Sequence, residues 1–516
     1  MRLSSALQAQ RTPYRGQKNV VRSVPAPVGG WNASDSLDEM AENEAVILTN
    51  WFPGQGQVSL RKGSTSHATG MSGSVEMISE FNAGSTRKLI AAANGNIWNA
   101  TSASAASSLG SGFASDRWQW AQFDDSSGGA RVGYVNGSDD PQYFDGTSLA
   151  AMTISGTGLT ASNLDGINIF KGRSYFWDSG TQDFWYSAVN ALGGSLSKFP
   201  LGRVAGTGGN LIAMGTWTRD GGSGPDDLAA FVLSSGDVVI YAGDNPGDSN
   251  AWALVGIFKI GAPLGIRAVT KIGSDLIVAT VDGYLPMSKV LDSARASPKQ
   301  AISDKIRKAV LSATSLYSGN FGWQIVHYPL GNYALVNVPV SSNTFDQHVV
   351  NTETGAWTKF HGMNAHCWGM FNDRLYFGGS GVIYKADDSK ADSGAAISGT
   401  AQTAWTYLGS RASQKRFTAV KPLLQVSGSL SFNAGIGVDF KAIRVAKTDS
   451  SPTAISTPWG SPWGSPWADT EATNENWLSA EGIGYNASCR IEVLTSTRSV
   501  DWFSTQYMFE SGRGSF

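Results

Sequence analysis

Charge is scarce in this sequence. Only 16% of its 516 residues are Asp, Glu, Lys or Arg, and 39 basic against 41 acidic residues leave a formal net charge of −2. A protein that grips duplex DNA by neutralising phosphates carries a marked basic excess, so tight or site-specific DNA binding is excluded as the main activity. Cysteine is almost absent. Cys367 and Cys489 are too few for a disulfide scaffold and lack CxxC spacing, so both are expected to be buried thiols of a chain folding in a reducing cytoplasm. No stretch approaches the roughly 18 consecutive apolar residues of a membrane span. The opening run MRLSSALQAQ contains no continuous apolar core of a signal peptide. Neither stable membrane insertion nor secretion is expected.

What the chain does have is turn formers and aromatics. Gly 61 and Trp 18, with abundant Ser, Thr and Asn, favour an all-β architecture of many short strands. Between residues 75 and 395 one unit recurs: an apolar strand, a Gly or Asn turn, then a strand with an aromatic. It appears at Leu89–Ala91 with Gly95–Trp98, Val132–Val135 with Gln142–Asp145, Tyr175–Trp177 with Phe184–Tyr186, and Ala230–Leu233 with Gly236–Tyr241. It returns at Leu276–Ala279 with Asp282–Leu285, Tyr333–Val336 with His348–Asn351, and Leu375–Phe377 with Gly381–Tyr384. The spacing is that of propeller blades of four strands, so a β-propeller of six or seven blades is expected, each unit forming the inner hairpin of one blade.

Four regions follow from texture. Residues 1–34 hold Arg2, Arg11, Arg15, Lys18 and Arg22 and no acid, which reads as a basic, extended arm, either a solvated tail or a segment that orders on a neighbour. Residues 35–74 read as a helical turn capped by Ser34 or Asp35, with Ala45, Ile47 and Leu48 on its apolar side, then a first strand over Gln57–Arg61. Residues 75–395 are the propeller. Residues 396–516 read as a separate β-sandwich or barrel, with strands at Ala404–Leu408, Lys415–Val426, Leu430–Lys441, Cys489–Thr495 and Trp502–Glu510. Within it the loop 458–467 places Trp459, Trp463 and Trp467 at a period of four among prolines, either an inert loop or an exposed tip for a partner, a carbohydrate or a membrane surface. One helix is expected inside the propeller, over Lys299–Ala313 after Ser297 and Pro298, with Ile302, Ile306, Val310 and Leu311 inward and Lys299, Lys305, Arg307 and Lys308 outward.

The run GGWNASDSLDEMAENEAVILTNWFPGQGQVSLRKG, Gly29 to Gly63, resembles the N-terminal segment of tail nozzle or tail tube proteins of short-tailed bacteriophages. The resemblance implies a virion protein made in the host cytoplasm, with a propeller body and subunits in a ring, most simply a hexamer, around the DNA exit channel. It further implies partners above (tail adaptor and portal-associated proteins) and below (tail fibres or spikes), transient passage of double-stranded DNA, and no catalysis. The near-neutral composition suits a conduit that DNA slides through. Docking to adaptor or neighbouring subunits then falls to Arg2, Arg11, Arg15, Lys18, Arg22, Trp31, Trp51 and Phe52.

Reactive chemistry finds few footholds. His361, His366 and Cys367 lie close in sequence without the spacing of a zinc site. Asp139-Asp140 and Asp244–Asp248 read as Asx turns before they read as calcium loops. Thr352–Trp357 echoes a sialidase-type propeller turn with Glu353 in place of Asp, a structural motif. There is no GxSxG elbow and no phosphate-binding Gly loop. No catalytic residue, metal or cofactor is therefore expected. Two other classes share these features: a virion propeller that binds or cleaves host carbohydrate, and a fibre-attachment or head-completion protein.

Overall fold

The computed structural model describes residues 19–126, 128–206, 208–220, 225–291, 298–428, 430–450, 471–474 and 476–511. Seven small sheets succeed one another along these residues. The first is Val75–Ala83, Thr86–Ala93, Asn96–Asn99 and Ser107–Ser111. The second is Gln119–Asp125, Gly129–Val135, Gln142–Phe144 and Leu149–Ala151. The third runs Gly166–Phe170, Arg173–Trp177, Asp183–Tyr186 and Gly194–Pro200, with Ile154–Gly156 added in parallel outside. The fourth is Leu211–Asp220, Pro225–Leu233, Asp237–Gly243 and Trp252–Lys259. The fifth has three strands, Val269–Ile272, Asp275–Thr280 and Gly283–Pro286. The sixth is Gln324–Tyr328, Tyr333–Pro339, Phe345–Asn351 and Trp357–His361. The seventh, Cys367–Phe371, Arg374–Gly378 and Ile383–Ser389, is completed by Gly63–Ala68 from the other end of the chain.

The opening strand of each sheet neighbours that of the next, and Cys367–Phe371 of the seventh returns to Val75–Ala83 of the first. The fold is thus all-β and propeller-like. The recurring units are all present, but as the second and third strands of their sheets, where apolar runs are buried on both faces. They are not the inner hairpins expected. The innermost strand is the first, as with Gln119–Asp125 of the second sheet.

A second body is built from both ends of the chain. One of its sheets contains Lys415–Ser427, Val500–Ser511, Val58–Leu60, Trp51–Pro53 and Asn19–Pro25; the other contains Glu44–Thr49, Ile397–Thr403, Ala487–Thr495 and Leu430–Val438. They share one core of Leu48, Trp51, Phe417, Leu424, Ile491, Trp502 and Phe509. Several expectations change here. Asn19–Pro25, assigned to an arm, pairs in register with Ser504–Glu510 of the same chain. Glu44–Thr49 is a strand and not part of a helical turn, and the Ala404–Leu408 strand reduces to one bridge between Thr406 and Ala487. The expected helix begins later, at Arg307–Tyr317, and buries Val310, Ala313 and Thr314 while Ile302 and Leu311 are exposed; Ser297 lies outside the described residues.

Candidate functional site: the joint and the mouth of the ring

The segment Gly29 to Gly63 is the joint of the molecule. Its strand Glu44–Thr49 lies between the sixth sheet and Ile397–Thr403, so that one continuous sheet runs from the ring into the second body. Gly30 begins the joint at φ 84°, and a side chain there would meet the Trp357 backbone at 2.6 Å, so glycine is required. Trp31 follows, edge-on to His348 at 5.8 Å. His348 in turn shares a hydrogen bond of 2.8 Å with the Tyr284 hydroxyl, and burial pulls its pKa down to about 4.

Asn32 then folds the chain back. Its side-chain oxygen accepts the N–H groups of Ser34 and Asp35, and its Nδ2 donates to Asp35 and to buried Glu44, both at 2.7 Å. The Ser34 hydroxyl accepts the Arg307 N–H at 3.0 Å and donates to the Asp304 carbonyl at 2.7 Å. Ser34 thus caps the first N–H of the helix Arg307–Tyr317 across space, in place of a side chain at the helix's own N-cap position, Ile306. Lys305 secures the same contact with 2.9 Å ion pairs to Asp35 and Glu44. The Asn32 amide, and then Lys305, hold the Asp35 carboxyl below its ordinary range, while Glu44 and Asp35 raise the Lys305 ammonium.

Asn50 and Arg61 form the centre of the joint. Asn50 sits in the left-handed region at φ 61°, which Asn tolerates better than most residues. Its Oδ1 accepts the His361 N–H and Arg61 Nε, both at 2.8 Å, and its Nδ2 donates to the Ser398 carbonyl at 2.8 Å. Arg61 has a side-chain exposure of 2% and pairs with both oxygens of Asp392, at 2.9 and 2.5 Å. It also donates to the carbonyls of Lys62 at 3.0 Å and His361 at 2.9 Å. One guanidinium thus ties together the joint, the last strand of the sixth sheet and the connection that leaves the seventh.

The mouth of the ring gathers residues at the starts of the first strands. Arg267 reaches across it, donating to the carbonyls of Glu76 at 2.8 Å and Trp118 at 3.1 Å and lying 5.3 Å from the Phe321 ring centre. Arg117 covers the same ring at 4.1 Å and pairs with Glu76 at 3.1 Å. A cavity of about 210 Å³ remains on the axis, lined among others by Met77, Trp118, Arg267, Gln324 and Cys367. Ligand pockets start at about 300 Å³, so this space suits a few waters. Burial is the first cause of every shift here: it lowers Arg267 and His366, raises Asp116 and pushes the Cys367 thiol up to about 12.

The residues expected to dock partners fall into three groups. Trp51 is fully buried, edge-on to Trp502 at 6.1 Å, and Phe52 packs on Tyr333 at 5.8 Å and Phe360 at 6.4 Å. With Trp31 they cement the joint of their own chain. Arg22 lies on the strand Asn19–Pro25, its guanidinium against the Gly409 turn. Arg2, Arg11, Arg15, Lys18, Trp459, Trp463 and Trp467 lie outside the described residues. Asn50, Arg61, Asp392, Glu44 and Arg267 were not anticipated. Each has at least one partner well over a hundred positions away, and only Arg61 gave a signal, as a charge ending an apolar strand. Among the described residues no group of three or more His, Cys, Asp or Glu is placed to hold a metal. His361 instead binds Asp346 at 2.6 Å, and His366 packs edge-on to Phe345 at 4.8 Å.

No protein-family model and no curated protein matches the sequence. Solved structures share its general form. A chain of the BBS1N–ARL6DN complex is 10% identical with a TM-score of 0.40, covering 64% of this chain and 99% of that one. Sqt1 of Saccharomyces cerevisiae is 10% identical with a TM-score of 0.38, over 63% and 99%. An exo-β-1,3-galactanase from Phanerochaete chrysosporium is 9% identical with a TM-score of 0.23, over 76% and 100%. Likeness at this level carries no argument about substrate or partner.

Proposed function

We propose that this chain is a structural subunit, a seven-bladed propeller fused to a β-sandwich, that assembles as a ring and forms the tail nozzle or tail tube of a short-tailed phage. The observation that carries the reading is the joint. The same Gly29–Gly63 segment that resembles nozzle proteins continues the sixth sheet into the second body, caps the helix that follows the fifth and leads directly into the strand Gly63–Ala68 that closes the seventh. A segment that ties the sixth sheet, the helix after the fifth and the second body together suits a component that must transmit force without deforming. In this reading the subunit works through its outside, by contacts with copies of itself. Genome release would then follow from a shift of subunit contacts, with DNA passing a lining that binds it weakly.

Mass photometry of the full chain, with negative-stain class averages, tests this. A ring of about six copies with a central hole is the expected result. A strictly monomeric chain that turns over surface glycans would overturn it in favour of the carbohydrate-cleaving alternative.

A further inference from the structure

Six of the seven sheets have an outer edge that is short, polar or covered. Ser107–Ser111 is polar, Leu149–Ala151 has three residues, and Gly194–Pro200 is flanked by Ile154–Gly156. Gly283–Pro286 is buried, Trp357–His361 is bordered by Glu44–Thr49, and Gly63–Ala68 is largely polar. The fourth sheet is different. Among the described residues its outer strand Trp252–Lys259 pairs only with Asp237–Gly243, and it exposes Leu254 at 43%, Val255 at 46% and Ile257 at 42%. A bulge at Val255 turns that side chain outward beside Leu254. There is no proline and no charge from Trp252 to Phe258. Free edges normally carry such guards against pairing with another strand.

The surroundings of this edge say what it accepts. Asp244 and Asp248 are exposed on the turn that leads into the strand, while Asp227 and Asp237 are already paired with Lys171 and Lys259. A fitting occupant is an extended segment with apolar side chains and positive charge. Residues 1–18, outside the described residues, contain Leu3, Leu7, Arg2, Arg11, Arg15 and Lys18 and no acid. They lead into Asn19, which lies opposite Glu510 at the free edge of the second body. Eighteen residues reach at most roughly 60 Å, enough to lie along a strand of a neighbour and still span a gap.

We propose that the free edge of Trp252–Lys259 is an assembly site that takes residues 1–18 of a second copy of this chain. Donor and acceptor are different surfaces, as a closed head-to-tail ring requires. This pairing rests on the proposed assembly only in requiring a neighbouring copy.

The test measures assembly of the full chain by mass photometry in three forms: alone, with excess synthetic peptide of residues 1–18, and carrying Leu254→Lys with Ile257→Lys. Both sites are exposed, so the variant should keep its melting temperature. Expected are dissociation by the peptide and assembly weakened at least about tenfold in the variant. Fluorescence anisotropy of the labelled peptide should show binding that weakens with salt and is lost on the variant. Assemblies that persist unchanged with peptide and in the variant would overturn the inference and leave the ring standing. Peptide binding lost in the variant while the full chain stays monomeric would retain the site and overturn both the ring and the pairing between copies.

Discussion

Arg61→Met and Asp392→Asn test whether the joint holds the molecule together. The Arg61 guanidinium makes five hydrogen bonds, two of them to Asp392, at a side-chain exposure of 2%. Removing one partner of a buried pair strands the other and costs about 3–5 kcal/mol. Asp392 retains 17% side-chain exposure, so water relieves part of its charge when Arg61 is lost. Arg61 has no such access once Asp392 is neutral. Asp392→Asn should therefore cost about 3 kcal/mol, and Arg61→Met about as much, because the Lys62 and His361 carbonyls lose their donor. The double variant should cost little more than either single one, a coupling of at least about 1.5 kcal/mol. Urea unfolding followed by tryptophan fluorescence and far-UV circular dichroism measures all four chains. The wild type should unfold in one transition. The single variants should show two, as ring and second body separate. Additive effects below about 0.5 kcal/mol each, with one unchanged transition, would refute the account.

Ser34→Ala should cost about 1 kcal/mol, and hydrogen exchange should quicken in the helix Arg307–Tyr317 rather than in the turn that contains Ser34. His348 is held neutral by burial, at about 4 against an ordinary 6.5, so the unfolded chain binds its proton first and stability falls as pH drops from 6.5 towards 4. The loss attributable to it reaches about 3 kcal/mol below pH 4, and His348→Gln should show a correspondingly shallower acid limb in pH-dependent melting. Cys367 and Cys489 are buried with pKa values pushed up to about 12, so a thiol reagent should label neither in the native chain and both after unfolding; fast labelling of either would contradict that burial.

The legible part of this fold was its central strands. Runs such as Ala334–Val336 or Leu375–Phe377 are apolar or aromatic because both faces of those strands are covered; Tyr376, for instance, packs edge-on to Phe371 at 5.9 Å. The Asn and Gly residues beside such strands supply the positive φ seen at Asn94, Gly95 and Gly236, which is why the turns were as readable as the strands.

The hidden part has physical reasons. The first strands of the second and fifth sheets, Gln119–Asp125 and Val269–Ile272, leave most of their side chains partly exposed, so the apolar signal there is weak. In Glu44–Thr49 the pairing slips between Ala45 and Ile47, and that bulge breaks the period of two, leaving a spacing that imitates a helix. Asn19–Pro25 buries only Val24 among its apolar side chains, and its place is set by backbone pairing with a strand near the other end of the chain, which no local pattern records. The joint was legible as unusual wording, but Arg61 and Asp392 meet only once the fold exists.

The closure of the seventh sheet has a consequence during synthesis. Gly63–Ala68 leaves the ribosome early, yet its partner strand Ile383–Ser389 is made roughly 300 residues later, which at 5–20 residues per second is a delay of about 15–60 s. Through that interval the first sheets exist as an open arc with an unmatched strand at its head. The nascent chain must be shielded from its neighbours on the same message until the late strand arrives, and slowing translation between the sixth and seventh sheets should lower the yield of soluble protein more than slowing it before the first.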